Sequence, residues 1–240
     1  MFACIAVFIT TKVLDMTVLG NSAGDYEKWV CTLKAFQAKF TYSITEKYEV
    51  WRLLTAVFLH NSFLHLFWNM FSLSTFAYTV EKYVDSPKNY LWILVLGSYE
   101  GNVLSAILRP YTVGVGASGT IFALLGVLLI WFWVNYHRFG DNRQIFLVFI
   151  IVIGVFSILN VFLSRSIDAW GHLGGFITGV PLGVLMLKPS EMHIETKLSP
   201  WRNLARLFLL ILLVGTTVIL FIKPLPDCDG GACEKMCDGK

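Results

Sequence analysis

Gly171-His172-Leu173-Gly174-Gly175-Phe176-Ile177-Thr178-Gly179 is the stretch on which the reading of this chain turns. Gly171, Gly175 and Gly179 recur every four residues and so line one face of a helix. Small residues at that spacing let two helix backbones approach closely inside a bilayer. His172 stands beside that face, where its ring reaches toward whatever helix packs there. An ionisable group at membrane depth is costly and marks a functional site by default. A second polar stretch, Gly116-Ala117-Ser118-Gly119, opens another long apolar segment, with Gly114 just ahead of it. A lone serine in such a helix usually bonds back to the carbonyl one turn earlier. Glycines on both sides of Ser118 favour a sharp entry into a helix, whose first N–H groups can hold an oxyanion. A neutral imidazole within reach can take the serine proton, so Ser118 and His172 form the candidate catalytic pair.

Working outward, the whole chain has membrane composition. Of its 240 residues 56% are hydrophobic and 15% charged, with a mean hydropathy of +0.65. Soluble domains sit near a quarter charged. A net charge of +3 gives no reason to expect nucleic acid. A helix needs roughly 20 apolar residues to cross the hydrocarbon core, and stretches of that kind fall at 1–20, 60–80, 90–109, 115–135, 145–163, 168–187 and 204–223. The first carries Lys12 and Asp15 and competes with a signal-peptide reading, but it lacks a basic start and a clear cleavage site. The expected fold is an all-α, polytopic transmembrane helix bundle of six helices plus one.

Orientation follows the lysines and arginines. With a cytoplasmic N-terminus, the inner loops hold Lys82, Lys88, Arg138, Arg143, Lys188, Lys197, Arg202 and Arg206. The short outer loops hold Arg109 and Arg165, with Lys223 at the exit of the last span. That is the positive-inside pattern. The expected site is the plasma membrane or the secretory and endomembrane system.

The first loop, 21–59, is too long for an idle connection. Trp29, Leu33, Phe36 and Phe40 make a helical apolar stripe in it, with Asp25 as a plausible N-cap and Lys28, Lys34 and Lys39 at polar positions. Such a helix either packs on the rest of the protein or lies in the outer headgroup layer.

His60, His65 and Asn69 fall in His60-Asn61-Ser62-Phe63-Leu64-His65-Leu66-Phe67-Trp68-Asn69. His65 and Asn69 are four apart, hence on one helix face, and both can donate to an oxyanion. His60 is five before His65 and is expected to point elsewhere, fixing the loop above the site. Its spacing is not that of a helical zinc pair, and no acid or thiol nearby completes a ligand set. No metal and no cofactor are expected.

Together, and in this order, these pieces resemble the rhomboid intramembrane serine proteases. The matching set is Trp51-Arg52, the histidine stretch at 60–69, Glu81, Gly101-Asn102, Gly116–Gly119 and Gly171–Gly179. The resemblance implies a six-helix catalytic core over 1–190 with its first loop at 21–59. A linker and a seventh helix follow over 191–224, and a short Cys-rich tail over 225–240. It also implies that Ser118 is the nucleophile and His172 the general base, with His65, Asn69 and the Ser118 N–H forming the oxyanion hole. Trp51, Arg52, His60, Glu81, Gly116, Gly119, Gly171, Gly175 and Gly179 would support the site. Substrates would be transmembrane or membrane-proximal segments of other proteins, entering from the lipid bilayer between the second and fifth spans, past Trp68 and Phe156. The family uses a dyad; Asp168, one turn before His172, is expected to be a first-turn acid behind a Ser166 N-cap. Phe122 stands where many relatives carry Tyr, and a ring of either kind can pack under His172. Glu100, inside the third span, has no assigned role.

Cys31, Cys228, Cys233 and Cys237 share the outer side under this topology, and four cysteines allow three pairings. A disulfide in the tail is expected, with a zinc site or palmitoylation as alternatives. Two other functions compete with proteolysis: a silent relative that binds transmembrane clients, and a transporter or seven-helix receptor. Retention of both Ser118 and His172 weighs against the first. The serine, histidine, asparagine and glycine set would be unexplained by the second.

Overall fold

Serines set where the long helices begin. Ser62 accepts from the His65 N–H at 3.1 Å and starts α5, Phe63–Tyr83. Ser86 accepts from the Asn89 N–H at 3.2 Å ahead of Pro87, and starts α6, Pro87–Leu108. Both are N-caps that satisfy a backbone donor the helix itself leaves unpaired. The computed structural model describes residues 1–17, 26–137, 168–188 and 192–223, with 140, 144 and 148. The expected fifth span at 145–163 (apart from 148), Phe156, the candidate caps Asp25 and Ser166, and the tail cysteines lie outside the described residues.

Four shorter helices precede α5: α1 Phe2–Thr17, α2 Tyr26–Ala35, α3 Thr41–Thr45 and α4 Arg52–Thr55. After α6 come α7 Ser118–Asn135, α8 Ala169–Met186, α9 Met192–Leu198 and α10 Arg202–Ile222. Among the described residues four helical segments are long and apolar enough to cross a membrane: Pro87–Leu108, Ser118–Asn135, Ala169–Met186 and Glu195–Ile222. The two earliest expected spans are helical but fall outside this set. At 1.5 Å per residue, α1 reaches only about 24 Å, against a hydrocarbon core of about 30 Å. The polar residues of α1 are used by the first loop: Lys12 Nζ lies 3.3 Å from the centre of the Trp29 ring, and buried Asp15 accepts from Thr32 Oγ1 at 2.5 Å.

The first-loop stripe turns inward. Trp29, Leu33 and Phe40 are buried and Phe36 is partly buried, so the stripe packs on the rest of the protein. The helix ends at Ala35, before Phe36 and Phe40; Gln37 has φ 73° and breaks it. Arg52 organises this loop. Its guanidinium is buried, meets Glu49 at 2.5 Å, and donates to the Lys34 and Ala38 carbonyls at 2.7 and 2.9 Å. Asn102 of α6 donates to the Leu53 carbonyl at 2.9 Å, tying the loop to the bundle. Cys31 is disulfide-bonded, whereas Cys4 is buried and free.

The core is a trio of helices, α6, α7 and α8, packed on one another more extensively than on any others. Glycine makes that contact. A Cβ on Gly175 would overlap the Gly119 carbonyl, and one on Gly179 the Ala123 carbonyl. A Cβ on Gly126 would come within 2.7 Å of the Phe176 carbonyl. The four-residue glycine period thus places α8 directly against α7. Helix α10 lies outside this trio. Buried Glu100 accepts from its Thr216 hydroxyl at 3.0 Å, and Tyr99 and Thr217 are 2.8 Å apart, which gives the acid in α6 a partner that helical spacing does not show.

Candidate active site

Ser118 is the first residue of α7, and Ala117 is its N-cap. The loop before it is pinned from two sides. Gly114 exchanges both backbone hydrogen bonds with Lys39, at 3.0 and 2.9 Å, and the Gly116 N–H donates to the Ala56 carbonyl at 3.0 Å. Gly116 has φ +116°, a conformation L side chains rarely adopt. A Cβ there would also sit 2.8 Å from the His65 ring. Glycine is therefore required both by the turn and by the ring packed on it.

His172 lies in the first turn of α8. Its ring is stacked on Phe122 of α7, with centroids 4.3 Å apart and planes 9° apart. Phe122 is one turn beyond Ser118, so the stack and the glycine contact bring His172 to the head of the serine helix. His172 Nδ1 is buried with no hydrogen-bond partner among the described residues. Asp168 is turned to other work. One carboxylate oxygen accepts from the Gly171 N–H at 3.1 Å, and the other accepts from the Ser105 hydroxyl. Asp168 is thus itself the N-cap of α8, in place of the expected Ser166. An N-cap carboxylate bonds the N–H of the first turn and meets the positive end of the helix dipole. The Asp168 carboxylate oxygens are thus engaged by Gly171 and Ser105.

His65 and Asn69 share a face near the start of α5. His65 Nδ1 is 2.9 Å from Asn61 Oδ1, which leaves Nε2 directed at Gly116 and the turn before Ser118. Asn69 donates one amide hydrogen to the His65 carbonyl at 2.9 Å and is buried; the amide has a second. His60 departs from expectation. It is fully buried and packs edge-on against His65, centroids 5.2 Å apart. It precedes the helix, so helical spacing does not govern where it points.

The remaining expected residues divide. Trp51 is half exposed and donates to Gln37 at 2.7 Å, and Arg52 holds the first loop; the hydrogen bonds of both lie within that loop. Glu81 is exposed near the far end of α5, about 24 Å along the axis from His65 at 1.5 Å per residue. Trp68 is 55% exposed on the outer face of α5, in an aromatic group with Phe67 and Phe71. Its counterpart Phe156 lies outside the described residues. No group of His, Cys, Asp and Glu fit to hold a metal occurs among the described residues. Two neighbours of the site were not legible as such. Ser105 on α6 donates to Asp168, and Lys39 in the first loop feels its charge; neither belongs to a motif.

The rhomboid domain model matches residues 47–189, more than half of the chain. The chain is similar to RHOMBOID-like protein 1 of Arabidopsis thaliana, 30% identical over 170 residues. It is also similar to Rhomboid-like protease 3 and Rhomboid-like protease 1 of Toxoplasma gondii, 31% identical over 179 residues and 32% over 171. These matches take in 70%, 73% and 69% of this chain, and 43%, 66% and 56% of the respective relatives. The chain spans about half the length of the curated relatives it matches. With the domain match, the ordered motifs and the helical bundle in agreement, this integral membrane protein belongs to the rhomboid family.

Proposed function

We propose that the protein is an intramembrane serine endopeptidase that cleaves transmembrane or membrane-proximal segments of other membrane proteins. Ser118 is the nucleophile and His172 the base that takes its proton and returns it to the leaving amine. The N-terminal N–H groups of α7, with His65 and Asn69, hold the oxyanion of the tetrahedral intermediate. The observation that carries this reading is the His172–Phe122 stack, which holds the imidazole at the head of the serine helix. His65 is pressed on Gly116 beside that turn; with Nδ1 donating to Asn61 Oδ1, its Nε2 donates to the oxyanion as the imidazolium.

The topology reading has its own support. Lys188 donates to the Lys82 carbonyl at 3.1 Å and Lys197 to the Val134 carbonyl at 3.0 Å. These bonds gather basic residues at the end of the bundle opposite Ser118 and His172. With that basic end in the cytoplasm, the dyad opens toward the outer or lumenal half of the membrane. The expected organisation, a core over 1–190, a seventh helix over 191–224 and a tail over 225–240, is part of the same proposal, as is substrate entry past Trp68. Reaction with a serine-directed phosphonate tests the chemistry: the wild-type protein is labelled and Ser118→Ala is not. Labelling of both alike would overturn the assignment.

A further inference from the structure

Lys39 is a charged residue buried completely, and no part of the proposed reaction uses it. Its backbone pairs with Gly114 in both directions. Its stem lies against Gly114 so closely that a Cβ there would fall 2.6 Å from Lys39 Cε. Its ammonium donates to the Arg109 carbonyl at 3.3 Å. Two charges act on it from the helices around it. The Asp168 carboxylate at the head of α8 favours the ammonium, and Arg109 at the end of α6 opposes it. Burial outweighs both and pushes the amine down from 10.5 to about 8. A buried ammonium is tolerated only where partners compensate its desolvation.

The position of this lysine matters more than its charge state. Gly114 is four residues before Ser118, in the turn that fixes the serine helix. Asp168 caps the helix that carries His172, through the Gly171 N–H, and also accepts from Ser105. One side chain therefore touches the serine loop and bears electrostatically on the histidine helix. We propose that Lys39 is a positioning residue for the dyad: its stem and backbone hold the turn before Ser118, and its charge holds the Asp168-capped start of α8, keeping the two in register. This rests on the protease reading of Ser118 and His172. Lys39 takes no part in bond making.

The test measures the rate at which a serine-directed phosphonate labels detergent-solubilised protein, across pH, for the wild type, Lys39→Met, Asp168→Asn and the double variant. Lys39→Met is expected to slow labelling about tenfold, since a misplacement well under 1 Å has an effect of that order. The double variant is expected to label no more slowly than Lys39→Met, because both changes remove one electrostatic interaction. In the wild type, labelling should decline as pH rises through about 8, where Lys39 loses its charge. That limb should be missing in Lys39→Met and also in Asp168→Asn, which removes the charge on which the ammonium acts. Wild-type rates in Lys39→Met, or losses that add in the double variant, would overturn the proposal. Should Lys39→Met fail to fold, the Asp168→Asn profile decides, and a limb retained there overturns the proposal. Absence of labelling in every protein, wild type included, would instead sink the protease reading. Thermal unfolding then reads the contact alone. A lysine lowered to about 8 from 10.5 binds its proton more weakly when folded, so its part of the stability rises with pH between those values. In Asp168→Asn that rise should begin at lower pH, and an unchanged onset would overturn the contact.

Discussion

The rings of Phe122 and His172 lie 4.3 Å apart and within 9° of parallel. This relationship, between one turn of α7 and the first turn of α8, decides where the imidazole can be. His172 Nδ1 has no hydrogen-bond partner among the described residues to orient it. Packing must hold the ring. Phe122→Tyr keeps the stacked surface and should leave the phosphonate labelling rate within a few-fold of wild type. Phe122→Ala removes it and should slow labelling on the order of tenfold to a hundredfold through misplacement of the base. Rapid labelling in Phe122→Ala would mean that some other contact orients His172.

The Asp168 cap makes a second prediction. Asn is as good an N-cap as Asp, so Asp168→Asn should keep proteolytic activity well above that of Ser118→Ala. Asp168→Ala loses the bond to the Gly171 N–H and should destabilise the start of α8 by about 1 kcal/mol. Measured cleavage in Asp168→Asn as low as in Ser118→Ala would replace the dyad by a triad.

Glycine packing makes a third. Gly175→Val would drive a side chain into the Gly119 carbonyl, next to Ser118. Overpacking of that kind costs about 1–3 kcal/mol, and backbone atoms cannot swing aside as a side-chain tip can. Activity should fall by more than the loss of thermal stability alone explains. Cleavage at wild-type rate would show that α7 and α8 do not meet at this face.

The oxyanion assignment makes a fourth. Loss of one preorganised donor has an effect of about a hundredfold to a thousandfold on rate. His65→Ala and Asn69→Ala should each slow peptide cleavage by that order while Ser118 remains open to covalent labelling. Unimpaired turnover in Asn69→Ala would remove that residue from the site.

Much of this architecture was legible in the chain because helical period reports faces. The spacing of Gly171, Gly175 and Gly179 shows which side of α8 meets a neighbour, and the stripe from Trp29 to Phe40 shows which residues of the first loop turn inward. Period does not show what a residue outside a helix will meet. His60 precedes α5, so its spacing from His65 misleads, and the rings in fact touch. The cap of α8 was expected at Ser166 because serine is a common cap, but Asp168 stands next to Ala169, where the helix starts. Lys39 reads as a polar position on an amphipathic helix, yet that helix ends at Ala35 and the lysine is drawn in to Gly114. Glu100 finds its partner not in α6 but in α10, where Thr216 lies 116 residues away in sequence.

The central claim is that Ser118 and His172 act as one nucleophilic unit. It is tested most directly by reconstituting the wild type, Ser118→Ala and His172→Ala in lipid vesicles with a transmembrane substrate segment and following cleavage. Cleavage by the wild type, with none above background in either variant and all three proteins folded, is the predicted result. Cleavage that persists in folded His172→Ala or Ser118→Ala would contradict it.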